Sequence, residues 1–75
     1  MMTIFIGNER QKKLAEYLQK QKASTAHALA DQFGVTERTI RSDVKALKKI
    51  FPILVKQGKA NGGIYWESEE LYEFR

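Results

Sequence analysis

Apolar residues recur along this chain with two different periods, and the change of period divides it. Leu14, Tyr17 and Leu18 share one helical face, with Lys12, Glu16, Gln19 and Lys20 opposite. Asn8 followed three positions later by Gln11 is a capping-box signature, so the pattern predicts a first helix over residues 9–22. Before it, residues 1–7 read as an extended segment broken at Gly7. Ala26, Leu29, Ala30 and Phe33 repeat the helical spacing behind Thr25, a good cap, and ahead of Gly34, which suits the left-handed position after a helix. A second helix is predicted over 26–33. Thr36 caps a third, over 37–51, with Glu37 in the first turn where the helix dipole favours an acid. Ile40, Val44, Leu47 and Phe51 form its buried stripe, and Pro52 ends it.

Beyond Pro52 the pattern turns β-prone. Ile53-Leu54-Val55-Lys56-Gln57 and Ile64-Tyr65-Trp66-Glu67 flank a glycine-rich turn, which predicts a β-hairpin over 53–67 followed by an acidic tail over 68–75. The expected architecture is a single α+β domain, a three-helix core with a C-terminal β-hairpin wing. The second and third helices, joined through Gly34-Val35-Thr36, match a helix-turn-helix, with Val35 plugging the gap between them.

Charge sharpens this picture. The 75 residues carry a net charge of +4, spread as +2 over residues 1–35, +5 over 36–66 and −3 over 67–75. A positive middle points to a polyanion partner. At about 100° per residue, Arg38, Ser42, Lys45 and Lys49 collect on the side of the third helix opposite its apolar stripe, flanked by Thr39 and Arg41. No acid falls on that strip, whereas an ordinary solvated face intersperses them. A recognition helix needs donors near its start for base edges and cations further along for phosphates. Arg38, Thr39, Arg41 and Ser42 fit the first role, with Thr36 at the helix start, and Lys45 and Lys49 fit the second.

The segments Leu29-Ala30, Phe33-Gly34-Val35 and Thr39-Ile40-Arg41, with Asn61-Gly62-Gly63-Ile64-Tyr65 in the hairpin, strongly resemble the DNA-binding domain of the DeoR-type and biotin-repressor-like winged helix-turn-helix proteins. The resemblance covers about residues 9–67. It implies a winged helix-turn-helix fold and binding of double-stranded DNA, with Lys59 and Asn61 at the tip of the wing. Where those families commonly carry a second arginine, this chain has Ser42. Their full-length regulators add a ligand-sensing domain after the wing; none is evident here, so no small-molecule effector is implied.

Other residues carry blander expectations. Asp43, at the edge of the buried stripe, reads as a structural ion pair or hydrogen bond to the first helix or the wing. His27 reads as a surface or phosphate-neighbouring side chain, and Tyr65 and Trp66 as packing on the helices. Lys59 is assigned to DNA; Asn61 serves either DNA or the turn itself. Lys12, Lys13 and Lys20 read as solvation.

An enzyme is disfavoured: there are 0 Cys and 1 His, and no nucleophile–base pair or phosphate-cradling loop. No cofactor or metal is expected, and no apolar run approaches the roughly 20 residues that span a bilayer. The expected protein is therefore a cytoplasmic, sequence-specific DNA-binding regulator of bacterial or phage type. A winged-helix protein-interaction module and an architectural, excisionase-like DNA binder are the alternatives. A homodimer is also expected, because one winged domain reads few base pairs. Its contact would be either the apolar run Met2-Thr3-Ile4-Phe5-Ile6 or a helical face bearing Leu71 and Phe74 beside Tyr72. The competing account folds both segments back on their own core.

Overall fold

The computed structural model describes residues 2–4, 6–57 and 63–74. In chain order the elements are β1 (Met2–Ile4), α1 (Glu9–Gln21), β2 (Ala23–Ser24), α2 (Ala26–Phe33), α3 (Glu37–Leu47), β3 (Ile53–Lys56), β4 (Gly63–Trp66) and β5 (Tyr72–Phe74). Each helix starts on the cap its sequence offers. Asn8, Thr25 and Thr36 accept hydrogen bonds from the backbone N–H groups of Gln11, Ala28 and Thr39 at 3.1, 3.1 and 3.2 Å. Only half of the predicted capping box forms, because the Gln11 side chain reaches Asp43 instead of turning back to Asn8.

The helix stops are equally local. Lys22 closes α1 in the left-handed region at φ 70°, and Gly34 closes α2 at φ 66°. A residue with a Cβ is strained at such a φ; Lys22 is held there by its N–H bond to Leu18 O and by its own carbonyl, which accepts from Trp66 N–H at 2.8 Å. The third helix is shorter than predicted, ending at Leu47 and not at residue 51. Lys49 and Ile50 donate to Ala46 and Leu47, three residues back, which tightens the chain out of α-helical geometry before Pro52. Phe51 drops from this turn into the core.

The hairpin forms as expected, with Ile53↔Trp66, Leu54↔Tyr65, Val55↔Ile64 and Lys56↔Gly63 in antiparallel register. Its tip lies outside the described residues. A further strand joins it: β2 pairs antiparallel with the other edge of β4, giving the order β2-β4-β3. Successive residues of β4 face opposite ways, so Ile64 and Trp66 are buried while Tyr65 is not. Tyr65 therefore does not share the packing predicted for it with Trp66; it lies half-buried, with Lys56 Nζ 5.4 Å from its ring centroid.

The acidic tail is a strand and not the helical face proposed for Leu71 and Phe74. β5 pairs in parallel with β1, Met2↔Tyr72 through Ile4↔Phe74. On the chain's other side the Gln19 side-chain amide imitates a neighbouring strand, accepting from Tyr72 N–H at 2.8 Å and donating to Tyr72 O at 3.2 Å. Tyr72 and Phe74 then close on Phe51 at ring-centroid distances of 5.3 and 5.5 Å, and Trp66 meets Phe51 at 5.1 Å. This aromatic cluster continues the aliphatic core of Leu14, Leu18, Leu29, Ile40 and Leu47, all fully buried. The result is a winged helix-turn-helix of α+β class. No helix among the described residues is long and apolar enough to cross a membrane.

Asp43 is buried at 2% exposure on the flank of α3 that meets α1. Arg10 grips it in bidentate fashion, Nε to Oδ2 at 2.5 Å and Nη2 to Oδ1 at 3.0 Å, and Gln11 Nε2 adds a bond to Oδ1 at 3.1 Å. The expected structural pairing to the first helix is thus realised. The Arg10 hydrogen bond holds the Asp43 carboxyl below the usual carboxylate range; burial opposes this, and the Gln11 hydrogen bond and the Arg10 charge reinforce it.

Asp43→Asn is expected to lower the unfolding free energy by about 1–3 kcal/mol near neutral pH, read by urea denaturation. A depressed folded-state pKa means that this contribution is complete above the unfolded value of about 3.9 and is lost as pH falls through the lower folded value. The gap between wild type and variant should therefore close in acid. A gap that stays constant down to about pH 2 would show that ionisation of Asp43 is not its source.

Candidate nucleic-acid interface

The two helices of the motif are set by a three-residue turn. Gly34 and Val35 both donate backbone N–H groups to Ala30 O, and the Val35 side chain packs against the core as the predicted plug. With Ile40, Asp43, Val44 and Leu47 buried, α3 can present only its opposite side to solvent. Arg38, Arg41, Ser42 and Lys45 are exposed there, and Thr39 is half-buried.

These side chains are not equally available. Among the described residues, the side chains of Arg38, Ser42, Lys45 and Lys49 make no hydrogen bond or ion pair, so their donors are free. Arg41 is engaged: its Nη2 donates to Glu37 Oε1 at 3.2 Å, one turn back. The Thr36 hydroxyl caps the helix and lies 3.1 Å from the Thr39 hydroxyl, so both are committed to the helix start. Lys49 is exposed but stands in the turn after α3, so its predicted place on the helical strip does not hold. Lys59 and Asn61 lie outside the described residues.

The structure adds two cations that helical geometry alone does not bring to the site. A cleft of about 850 Å³ opens between the start of α2, the outer flank of α3 and the hairpin. Arg41, Lys45 and Lys48 line it from the α3 side and Lys56 from β3, over a floor that includes Val44 and Ile64. Glu37 also lines it, so four positive groups outweigh one carboxylate around this concave surface and focus potential toward an anion. Lys48 sits near the edge of the apolar stripe by helical angle, and Lys56 belongs to another element. Neither carried a local signal; the pairing of β3 with β4 places Lys56 opposite the helix.

His27, at the start of α2, is exposed as expected and meets carboxylates. Its Nδ1 is 3.5 Å from Glu37 Oε2 and its Nε2 is 3.5 Å from Asp31 Oδ2. Among the described residues, no three His, Asp or Glu side chains are grouped to hold a metal ion.

A family model described as an HTH domain matches residues 10–65, from the arginine that binds Asp43 to the last strand of the hairpin. No curated protein and no solved structure matches the chain. The matched span takes in α2, α3, β2 and β3 whole and all but the first residue of α1 and the last of β4, and most of the chain lies within it. The chain belongs to the helix-turn-helix (HTH) domain family.

Proposed function

We propose that this protein is a sequence-specific binder of double-stranded DNA, a small bacterial or phage-type regulator of transcription acting in the cytoplasm and without catalytic activity or cofactor. In this reading α3 enters the major groove, α2 braces it across the backbone, and the hairpin grips the flank as the wing of a DeoR-type or biotin-repressor-like domain. The observation that carries it is the outward face of α3, where Arg38, Ser42 and Lys45 stand exposed and unpaired with no acid among them. Lys48 and Lys56 extend that positive surface to the hairpin. Free cations on a rigid helix supply phosphate attraction, and arginines near its start supply paired donors for guanine O6 and N7.

Selection of bound duplexes from a random DNA pool is the direct test, and an enriched motif is the expected result. Arg38→Ala should then weaken binding to that motif by about 1–3 kcal/mol and relax sequence choice at one position. Lys45→Ala or Lys56→Ala should weaken selected and scrambled duplexes alike and reduce the log–log salt slope by about one unit each. If all three variants bind as wild type does, α3 is not the reading element and a protein-interaction module takes its place. Bending of every duplex without an enriched motif would favour the architectural binder.

The same reading has two copies acting at one operator. The argument is informational, since a single domain reads few base pairs. The two segments first considered as contacts pair with each other instead, and Ile4, Tyr72 and Phe74 pack on the chain's own core. Titration of protein into the selected duplex should give two chains per duplex and a motif with two-fold symmetry. One chain on an asymmetric motif would defeat it.

A further inference from the structure

The helix α3 carries two acids with opposite situations. Asp43 is buried and bound by α1, whereas Glu37 stands in the first turn at the junction of α2 and α3, half-exposed, with one oxygen accepting from Arg41 and the other 3.5 Å from His27. Its Oε1 accepts from Arg41 Nη2, and its Oε2 faces His27, which approaches Asp31 through its other ring nitrogen. The Glu-before-Arg order one turn apart is the favourable orientation for such a pair, and the helix dipole also favours the carboxylate there. An exposed pair of this kind adds little to stability. An anion beside a phosphate-binding face opposes binding to every DNA sequence alike. The geometry leaves Glu37 a different effect. A free arginine loses rotamer freedom when it docks, whereas one already tethered presents its fork in a set direction.

We propose that Glu37 is a positioning residue that sets sequence choice by fixing the direction in which Arg41 presents its guanidinium, with His27 facing the carboxylate from α2. The inference rests on the DNA-reading function proposed above. A matched base accepts the guanidinium as Glu37 presents it. A mismatched base either leaves Arg41 donors unpaired or must draw them from Glu37, and the carboxylate then lies unneutralised near phosphate. Glu37 thus lowers affinity for all DNA and lowers it most for the wrong sequences.

The test compares wild type, Glu37→Ala, Arg41→Ala and the double variant by fluorescence anisotropy, on the selected duplex and a scrambled one at one fixed salt concentration. Glu37→Ala should tighten scrambled binding about threefold through loss of one negative charge. It should also reduce the selected-to-scrambled preference by about twofold to fivefold. In the Arg41→Ala background, the same change should still tighten binding but leave the preference where Arg41→Ala alone has put it. Glu37→Gln, which keeps an acceptor oxygen without the charge, should tighten scrambled binding as much and lose less of the preference. Tightening of both duplexes by one factor, with preference intact, overturns the inference and makes Glu37 a simple repulsive charge. Equal loss of preference with and without Arg41 overturns it too. A wild-type chain that prefers no duplex overturns the DNA-reading function itself, which is a different result from a preference that Glu37→Ala leaves unchanged.

Discussion

The rotation of α3 about its own axis is the constraint on which the outward face depends, and a bidentate ion pair secures it. Ile40, Val44 and Leu47 turn the apolar stripe inward, but a hydrophobic stripe is non-directional and tolerates some roll. Asp43 removes that tolerance. Its two oxygens accept three hydrogen bonds from Arg10 and Gln11, in directions set by the first turn of α1. Burial of the carboxylate is costly, yet the Arg10 side chain stays 40% exposed and keeps part of its hydration. Most of the desolvation therefore falls on Asp43, which is the group whose lone pairs are best satisfied. With α3 held on that flank, Arg38, Ser42 and Lys45 have one direction to face.

The second constraint is size. A 75-residue chain has a small core, and this one enlarges it with its own ends. β1 and β5 pair in parallel, and Tyr72 and Phe74 pack against Phe51, the residue that drops out of the turn after α3. Gln19 supplies hydrogen bonds that a further strand would otherwise give to Tyr72. The end of α3 and the terminal sheet are thus linked through Phe51, whose ring meets both Tyr72 and Phe74.

Between these constraints the candidate interface draws on three separate elements. α3 contributes its outward face, β3 brings Lys56 to the cleft, and α2 brings His27 to Glu37. The charges on α3 are divided by environment and not by type: one acid is buried and structural, the other half-exposed and paired with an arginine, while three polar side chains remain free. A uniformly solvated helix has no reason to sort its charges in this way.

Features governed by neighbours within one helical turn were legible along the chain. The caps at Asn8, Thr25 and Thr36, the stop at Gly34, the stripe of Ile40, Val44 and Leu47, and the absence of acids on the opposite strip all follow from spacing and backbone chemistry. The hairpin was legible for the same reason, since its two strands are joined by a short turn. What eluded that reading involves partners far apart in sequence. A two-residue β2 has no period of its own and exists because β4 offers it an edge. The tail from Leu71 to Phe74 fits a helical or an extended pattern equally over so few residues, and β1, some seventy positions away, selects the strand. The gathering of Lys48 and Lys56 into one cleft and the meeting of Phe51 with Tyr72 and Phe74 likewise depend on long-range packing. Local hydrogen bonding specifies which segments are helices and where they begin and stop, whereas the edges of sheets and the company a side chain keeps are settled by contacts that form only when the chain closes on itself.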